Sequence, residues 1–110
     1  MTDLITAFSA LSDATRFQMV ERLMREGELP AGRLVDDAGM SAPAVSRHLR
    51  VLREAGLVRQ RVQGTHRYYS VQPQALQAIE AWVNDTRSFW ETSLDRLDAL
   101  VALEEGGTDA

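Results

Sequence analysis

Residues 40–57 read MSAPAVSRHLRVLREAGL, and the fold turns on this stretch. Ser41 can cap a helix from its N-terminal side, and Pro43 falls in the first turn, where a missing N–H costs nothing. Val45, Leu49 and Leu52 follow at i, i+4 and i+7, one apolar face of a helix over about 42–55. Pro43, Arg47, Arg50 and Glu54 lie on the opposite face, with Ser46 and Arg53 at its flank. A core-facing helix with outward arginines is common. One that begins with Ser41, Ala42, Ala44 and Ser46, and follows a short helix and a glycine turn, is the second helix of a helix-turn-helix, whose small leading residues allow close approach to base edges.

Beyond Gly56 the period changes from helical to alternating. Residues 57–62 and 67–71 read as two strands around Gln63-Gly64-Thr65, a hairpin over about 57–71 in the position of a wing. Arg59 and Arg61, two apart, share a face of their strand and can lie along phosphates or in a minor groove. Tyr68 and Tyr69 alternate, so one packs and one faces out.

Upstream, Leu4, Ile5, Phe8 and Leu11 mark a short amphipathic helix. Ser12 or Asp13 caps a second helix with an expected inward stripe of Phe17, Val20, Leu23 and Met24, ended by Gly27 and Pro30. A third helix is expected over about 31–38, using Leu34 and Val35, with Gly39 as its left-handed cap. Downstream, Pro73 opens a helix to about 103 with apolar steps at Leu76, Ile79, Val83, Trp90, Leu94, Leu97 and Val101. Trp82, Phe89, Leu100 and Leu103 widen this stripe beyond what a small domain covers, which points to a two-fold dimer built with the first helix. Folding of the stripe back onto its own domain is the simpler alternative. The expectation is one domain over 1–104, mostly α with a β-hairpin wing (four helices, two strands, one helix), and a disordered acidic, Gly-rich tail at 105–110.

The chain of 110 residues is 45% apolar and carries a net charge of -4, which alone argues against a nucleic-acid partner. Its distribution argues otherwise. Arg47, Arg50, Arg53, Arg59, Arg61 and Arg67 are opposed within 47–67 only by Glu54, a net +5 that leaves -9 for the remainder. There is no cysteine, hence no disulfide, thiolate metal site or thiol switch. No basic leader or bilayer-length apolar run is present, so the expected location is the cytoplasm, without a membrane partner. Catalysis is not expected: Ser46 and His48 are too close along one helix to face each other, and no phosphate loop or metal-ligand cluster occurs. His48, at the edge of the buried face, reads as structural. Asp36, Asp37, Glu80 and Asp85 read as solvated surface.

Four segments, LSDATR (11–16), Gly27-Glu28-Leu29, residues 40–57 and RYYSV (67–71), resemble the ArsR-type bacterial repressors in order and spacing, from Phe8 to Pro73. Ala14 departs from the proline often found at its position. The resemblance implies a winged-helix homodimer that binds an operator near its own promoter and releases it on a signal. Many members sense metal ions, through third-helix cysteines in one pattern and through last-helix histidines and carboxylates in another. Here residues 28–34 hold no cysteine and residues 73–103 no histidine, which resembles the metal-free branch, whose genes often adjoin those of small hydrophobic-ligand-binding domains.

The expected DNA-contacting set is therefore Ser41, Ala42, Ser46, Arg47, Arg50, Arg59, Arg61, Thr65, His66 and Arg67. The expected dimer set is Leu4, Phe8, Leu76, Ile79, Trp82, Val83, Trp90, Leu94, Leu97 and Val101. Expected partners are double-stranded operator DNA, a second copy of the chain and a small apolar effector among Trp82, Phe89 and Trp90. No metal and no cofactor are expected. The competing class is a winged-helix protein-interaction module acting through the terminal helix, against which the arginine clustering weighs.

Overall fold

Side chains placed just ahead of the first turns start three of the helices. In the computed structural model, which describes residues 3–108, Asp3 Oδ1 accepts from Ile5 N at 3.1 Å and starts α1 (Leu4–Leu11). Asp13 Oδ2 accepts from Arg16 N at 3.1 Å and starts α2 (Ala14–Glu26). Ser41 Oγ accepts from Ala44 N at 3.3 Å and starts α4 (Ala42–Glu54). Between α2 and α4 lie a two-residue strand, β1 (Leu29–Pro30), and α3 (Ala31–Asp36). The hairpin β2 (Val58–Gln63) and β3 (His66–Val71) follows, then α5 (Pro73–Thr108).

The end of α4 sets the direction of the hairpin. Gly56, at φ 78°, takes the left-handed conformation that a residue with a Cβ resists. Gly56 N donates to Arg53 O and Leu57 N donates to Leu52 O, each at 3.0 Å. This is a Schellman stop, and its two apolar partners, Leu52 and Leu57, are both fully buried. Gln72 N then donates to Leu57 O at 2.8 Å and closes the base of the hairpin. At the tip, Gly64 has φ 62° and Thr65 does not share the positive φ, the pattern of a two-residue II′ turn.

The sheet is antiparallel in the order β1-β3-β2, with Leu29 opposite Tyr69 and Gln60 opposite Tyr69 on the other side. Leu29, Val58 and Tyr69 are buried on one face, which meets the helices, while Tyr68 is only half-buried on the other. The core is completed by Val20 and Leu23 of α2, Leu34 of α3, and Val45, Leu49 and Leu52 of α4.

The observed elements differ from the sequence expectations at several points. β1 adds a third strand to the expected hairpin, and α3 stops at Asp36 rather than near 38. In α2 the inward residues are Met19, Val20 and Leu23, whereas Phe17 is 48% and Met24 51% exposed. The five apolar residues wrap much of the helix, and the core takes the arc centred about a quarter-turn from Phe17 and Met24. In α1 the buried residues are Ala7 and Ala10, while Ile5 and Phe8 are exposed. Two small side chains are what lets α1 approach both α2 and α4. α5 continues to Thr108, so 105–108 of the expected tail are helical; Ala102, Leu103, Glu104 and Glu105 are good helix formers that extend the ladder. Asp109 and Ala110 lie outside the described residues. By its contacts the chain divides into two compact units, one up to Ala78 and one from Ile79 onward.

Truncating Leu52 to Ala removes the helix side of the buried Schellman contact and is expected to destabilise the protein by about 2–5 kcal/mol. Gly56→Ala is expected to cost about 1–2 kcal/mol through the left-handed backbone alone. Urea unfolding followed by circular dichroism measures both.

Candidate nucleic-acid interface

The first unit presents two basic elements in succession, the outer face of α4 and the hairpin. Val45, Leu49 and Leu52 bury the inner face of α4, which turns Ser41, Ala42, Ser46, Arg47 and Arg50 outward, and all five are exposed. Arg47 and Arg50 make no ion pair or side-chain hydrogen bond among the described residues. Both are thus available to an external acceptor, and an arginine fork suits either a phosphate or the O6/N7 edge of guanine. Ser41 is engaged as the helix cap.

His48 is half-buried on the flank of α4, where its Nδ1 lies 3.4 Å from Arg16 Nη1 and 3.9 Å from Asp13 Oδ2. Arg16 Nε in turn donates to Ala10 O at 2.7 Å, so this cluster ties the α1–α2 junction to α4, a structural role for His48. The hydrogen bond from Arg16 N holds the Asp13 carboxyl below its ordinary pKa, and the charges of Arg16 and His48 act in the same direction.

On the hairpin, Arg59 and Arg61 share the outer face, as expected from their spacing. Neither is free. Arg59 Nε donates to Ser70 Oγ at 3.0 Å, directly across the ladder. Arg61 is paired with Glu28 at 2.6 Å and lies over the Tyr68 ring, 4.5 Å from its centroid. Thr65, His66 and Arg67 are exposed at or beside the tip, and Arg67 has no ion-pair partner among the described residues. Glu28 is the member of this surface that sequence reading passed over: it stands within the Gly27-Glu28-Leu29 segment, but its partner is 33 residues away.

Further ion pairs fasten the first helix of the helix-turn-helix. Arg22 of α2 bonds Glu26 and Asp37, each at 2.6 Å, and its Nη1 donates to Arg33 O at 3.3 Å. These contacts hold α3 against α2. Beside them lies an open cavity of about 520 Å³, lined by Thr15, Met19, Arg25, Leu34 and Ala38 among others.

Of the expected dimer set, Leu4 and Leu76 are half-buried and Phe8 is exposed, all within the first unit. In the second unit Ile79 is half-buried, and Trp82, Val83, Trp90, Leu94, Leu97 and Val101 are exposed along α5. Phe89 and Trp90 meet edge to face with centroids 5.4 Å apart. Among the described residues, no group of three or more His, Asp or Glu side chains is placed to hold a metal ion, and no helix is long and apolar enough to cross a membrane.

The family described as "Bacterial regulatory protein, arsR family" matches residues 13–60. The HTH-type transcriptional regulator Rv2034 of Mycobacterium tuberculosis is 41% identical over 102 residues, which cover 93% of this chain and 92% of that protein. The chain belongs to the arsR family of bacterial regulatory proteins. This is a family of transcriptional regulators, not of enzymes. Among solved structures, the ArsR-like transcriptional regulator from Rhodococcus sp. RHA1 superposes with a TM-score of 0.75 at 26% identity, covering 88% of this chain and 91% of that one. The homodimeric winged helix-turn-helix DNA-binding domain Mb0332 of Mycobacterium bovis superposes with a TM-score of 0.62 at 26% identity, covering 76% and 77%. The expected winged-helix fold, mostly helical with a small antiparallel β-hairpin, is the fold of this arsR-family chain.

Asp13, depressed in the folded state, stabilises the fold above its unfolded pKa of about 3.9, and that contribution is lost as pH falls through the lower folded value. Asp13→Asn keeps a capping oxygen without the charge. Urea midpoints measured from pH 5 downward are expected to fall more steeply below about pH 3.9 in the parent than in the variant.

Proposed function

We propose that this arsR-family protein is a dimeric, autoregulatory repressor that binds an imperfect palindromic operator. The observation that carries the reading is the outward pair Arg47 and Arg50, exposed and without ion-pair or side-chain hydrogen-bond partners among the described residues, on the helix that precedes the hairpin. α4 enters the major groove from its N-terminal end, with Ser41, Ala42 and Ser46 close to the bases and Arg47 and Arg50 reaching base edges or phosphates. The wing, through Arg59, Thr65, His66 and Arg67, and through Arg61 once it leaves Glu28, tracks flanking phosphates or the minor groove. Two copies present their α4 helices about one helical turn (~34–36 Å) apart.

Dimerisation uses Leu4 and Phe8 of α1 with Leu76, Ile79, Trp82, Val83, Trp90, Leu94, Leu97 and Val101 of α5. The exposed aromatic and aliphatic side chains of α5 support this, as does the homodimeric state of the Mycobacterium bovis domain. Repression follows from occlusion of polymerase in the cytoplasm. The releasing signal is not a transition metal bound by third-helix cysteines or last-helix histidines, since the chain has none of either. A small apolar molecule held among Trp82, Phe89 and Trp90 suits the aromatic density there.

Binding is to be measured by fluorescence anisotropy on duplexes from upstream of the protein's own gene, with unrelated duplex as competitor. Competitor-resistant binding by two chains per site, weakening steeply with salt, is expected; salt-insensitive association with other proteins and none with DNA would favour the interaction-module reading. Arg50→Ala is expected to cost about 1–3 kcal/mol on operator and little on unrelated DNA, whereas equal loss on both identifies a phosphate contact. Leu97→Glu is expected to convert the dimer to monomer in light scattering and to abolish tight operator binding.

A further inference from the structure

The wing arginine with the most elaborate surroundings is engaged across the outer face of its own sheet. Arg61 leaves β2, crosses Tyr68 of β3 and ends at Glu28, just ahead of β1 on the far edge of the sheet. Its Nε donates to Glu28 Oε2 at 3.2 Å and its Nη2 to Glu28 Oε1 at 2.6 Å, a bidentate pair. Nη1 donates to Gln63 Oε1 at 2.7 Å, and the guanidinium lies over the Tyr68 ring at 4.5 Å. The alternation of the strands explains the arrangement. Arg61 and Tyr68 are opposite each other, Tyr68 is opposite Pro30, and Glu28 lies two residues before Pro30 on the same side. The side chain therefore runs flat across three strands spaced about 4.8 Å apart rather than projecting from the sheet.

We propose that Glu28 limits the wing's grip on DNA: it holds the Arg61 guanidinium across the sheet, and the wing gains a phosphate contact when that pair is broken. The inference rests on the DNA-binding reading above. The pair is half in solvent, with side-chain exposures of 50% for Arg61 and 37% for Glu28, so water and a competing phosphate both have access to it. Glu28 also faces Arg59, and the raised Arg61 pKa and lowered Glu28 pKa both follow first from their shared hydrogen bond. On this outer face one carboxylate thus offsets two guanidinium groups.

The test uses the full chain and an unrelated duplex of about 30 base pairs, read by anisotropy from 50 to 200 mM salt, with circular dichroism to verify folding. Glu28→Gln is expected to steepen the log K against log salt slope by about 0.9 per wing, about 1.8 for a dimer with both wings on the duplex, and to tighten binding on the order of 25- to 100-fold at 0.1 M salt. Introduced together with Arg61→Ala, the same substitution is expected to give no such gain over Arg61→Ala alone, because the released group is missing. A gain that persists without Arg61 overturns the proposal in favour of simple repulsion by Glu28. An unchanged slope, or weaker binding by Glu28→Gln, overturns it by showing that Arg61 gains no phosphate on release or works from within the pair. Absence of binding by the parent protein even at 50 mM salt overturns the DNA-binding reading and this inference together.

Discussion

The contact between Leu52 and Leu57 across Gly56 is the constraint on which the rest of the first unit depends. Leu52 is the last core residue of α4 and Leu57 the residue that leads into the wing, and both are fully buried. Gly56 reverses the chain between them at φ 78°. Because the backbone bonds from Gly56 and Leu57 satisfy carbonyls that the helix end would leave open, the turn has one stable geometry. The outer face of α4 and the outer face of β2 are thereby held at a fixed angle, and a DNA reader needs that angle more than it needs any one contact. The bond from Gln72 to Leu57 extends the same device to the start of α5.

Around this joint, the arginines separate into those that hold the protein together and those turned outward. Arg16 spans from the end of α1 to His48 of α4, and Arg22 fixes α3 to α2 through Glu26 and Asp37. Among the described residues Arg47 and Arg50 have no such partners, although they belong to the same arginine-rich window as Arg61, which does. A partnered guanidinium must exchange one carboxylate for another anion, while an unpartnered one exchanges only water. Charge counted along the sequence therefore overstates what the wing offers and describes the recognition helix well.

That distinction marks where the sequence was legible. α4 and the hairpin are legible in the sequence because their signals are local: a capping serine, a single apolar face, a glycine stop and a change of period. β1 has no such signal, since two residues, one of them proline, become a strand only by lying beside Tyr68 and Tyr69. In α2 the sequence alone does not fix the phase, because Phe17 and Met24 extend its apolar arc past what α4 and the sheet cover. In α1 hydrophobicity pointed to Ile5 and Phe8, whereas close packing selects Ala7 and Ala10, whose value inside is their small size. Glu28 and Arg61 could not be paired from sequence, because strand register alone brings them together. The exposed stripe of α5 follows its heptad-like spacing, and what that stripe meets is a matter of assembly.

The overall charge of -4 has little authority over how such a surface meets DNA. At 0.1 M salt, carboxylates farther than about 10 Å from a phosphate are largely screened. The effective balance is the local one, with Arg47 and Arg50 on α4 and with Arg59, Arg61 and Arg67 against Glu28 on the wing. A chain that is acidic in total and basic at its contact surface gains little from indiscriminate encounters, because each wrong register brings unscreened carboxylates against the backbone. An acid placed inside the basic surface extends that logic to the shortest range. In the proposed reading it lowers sequence-independent affinity without engaging Arg47 or Arg50 of α4, and the ratio of specific to non-specific binding, rather than affinity alone, determines how a regulator distributes itself over a genome.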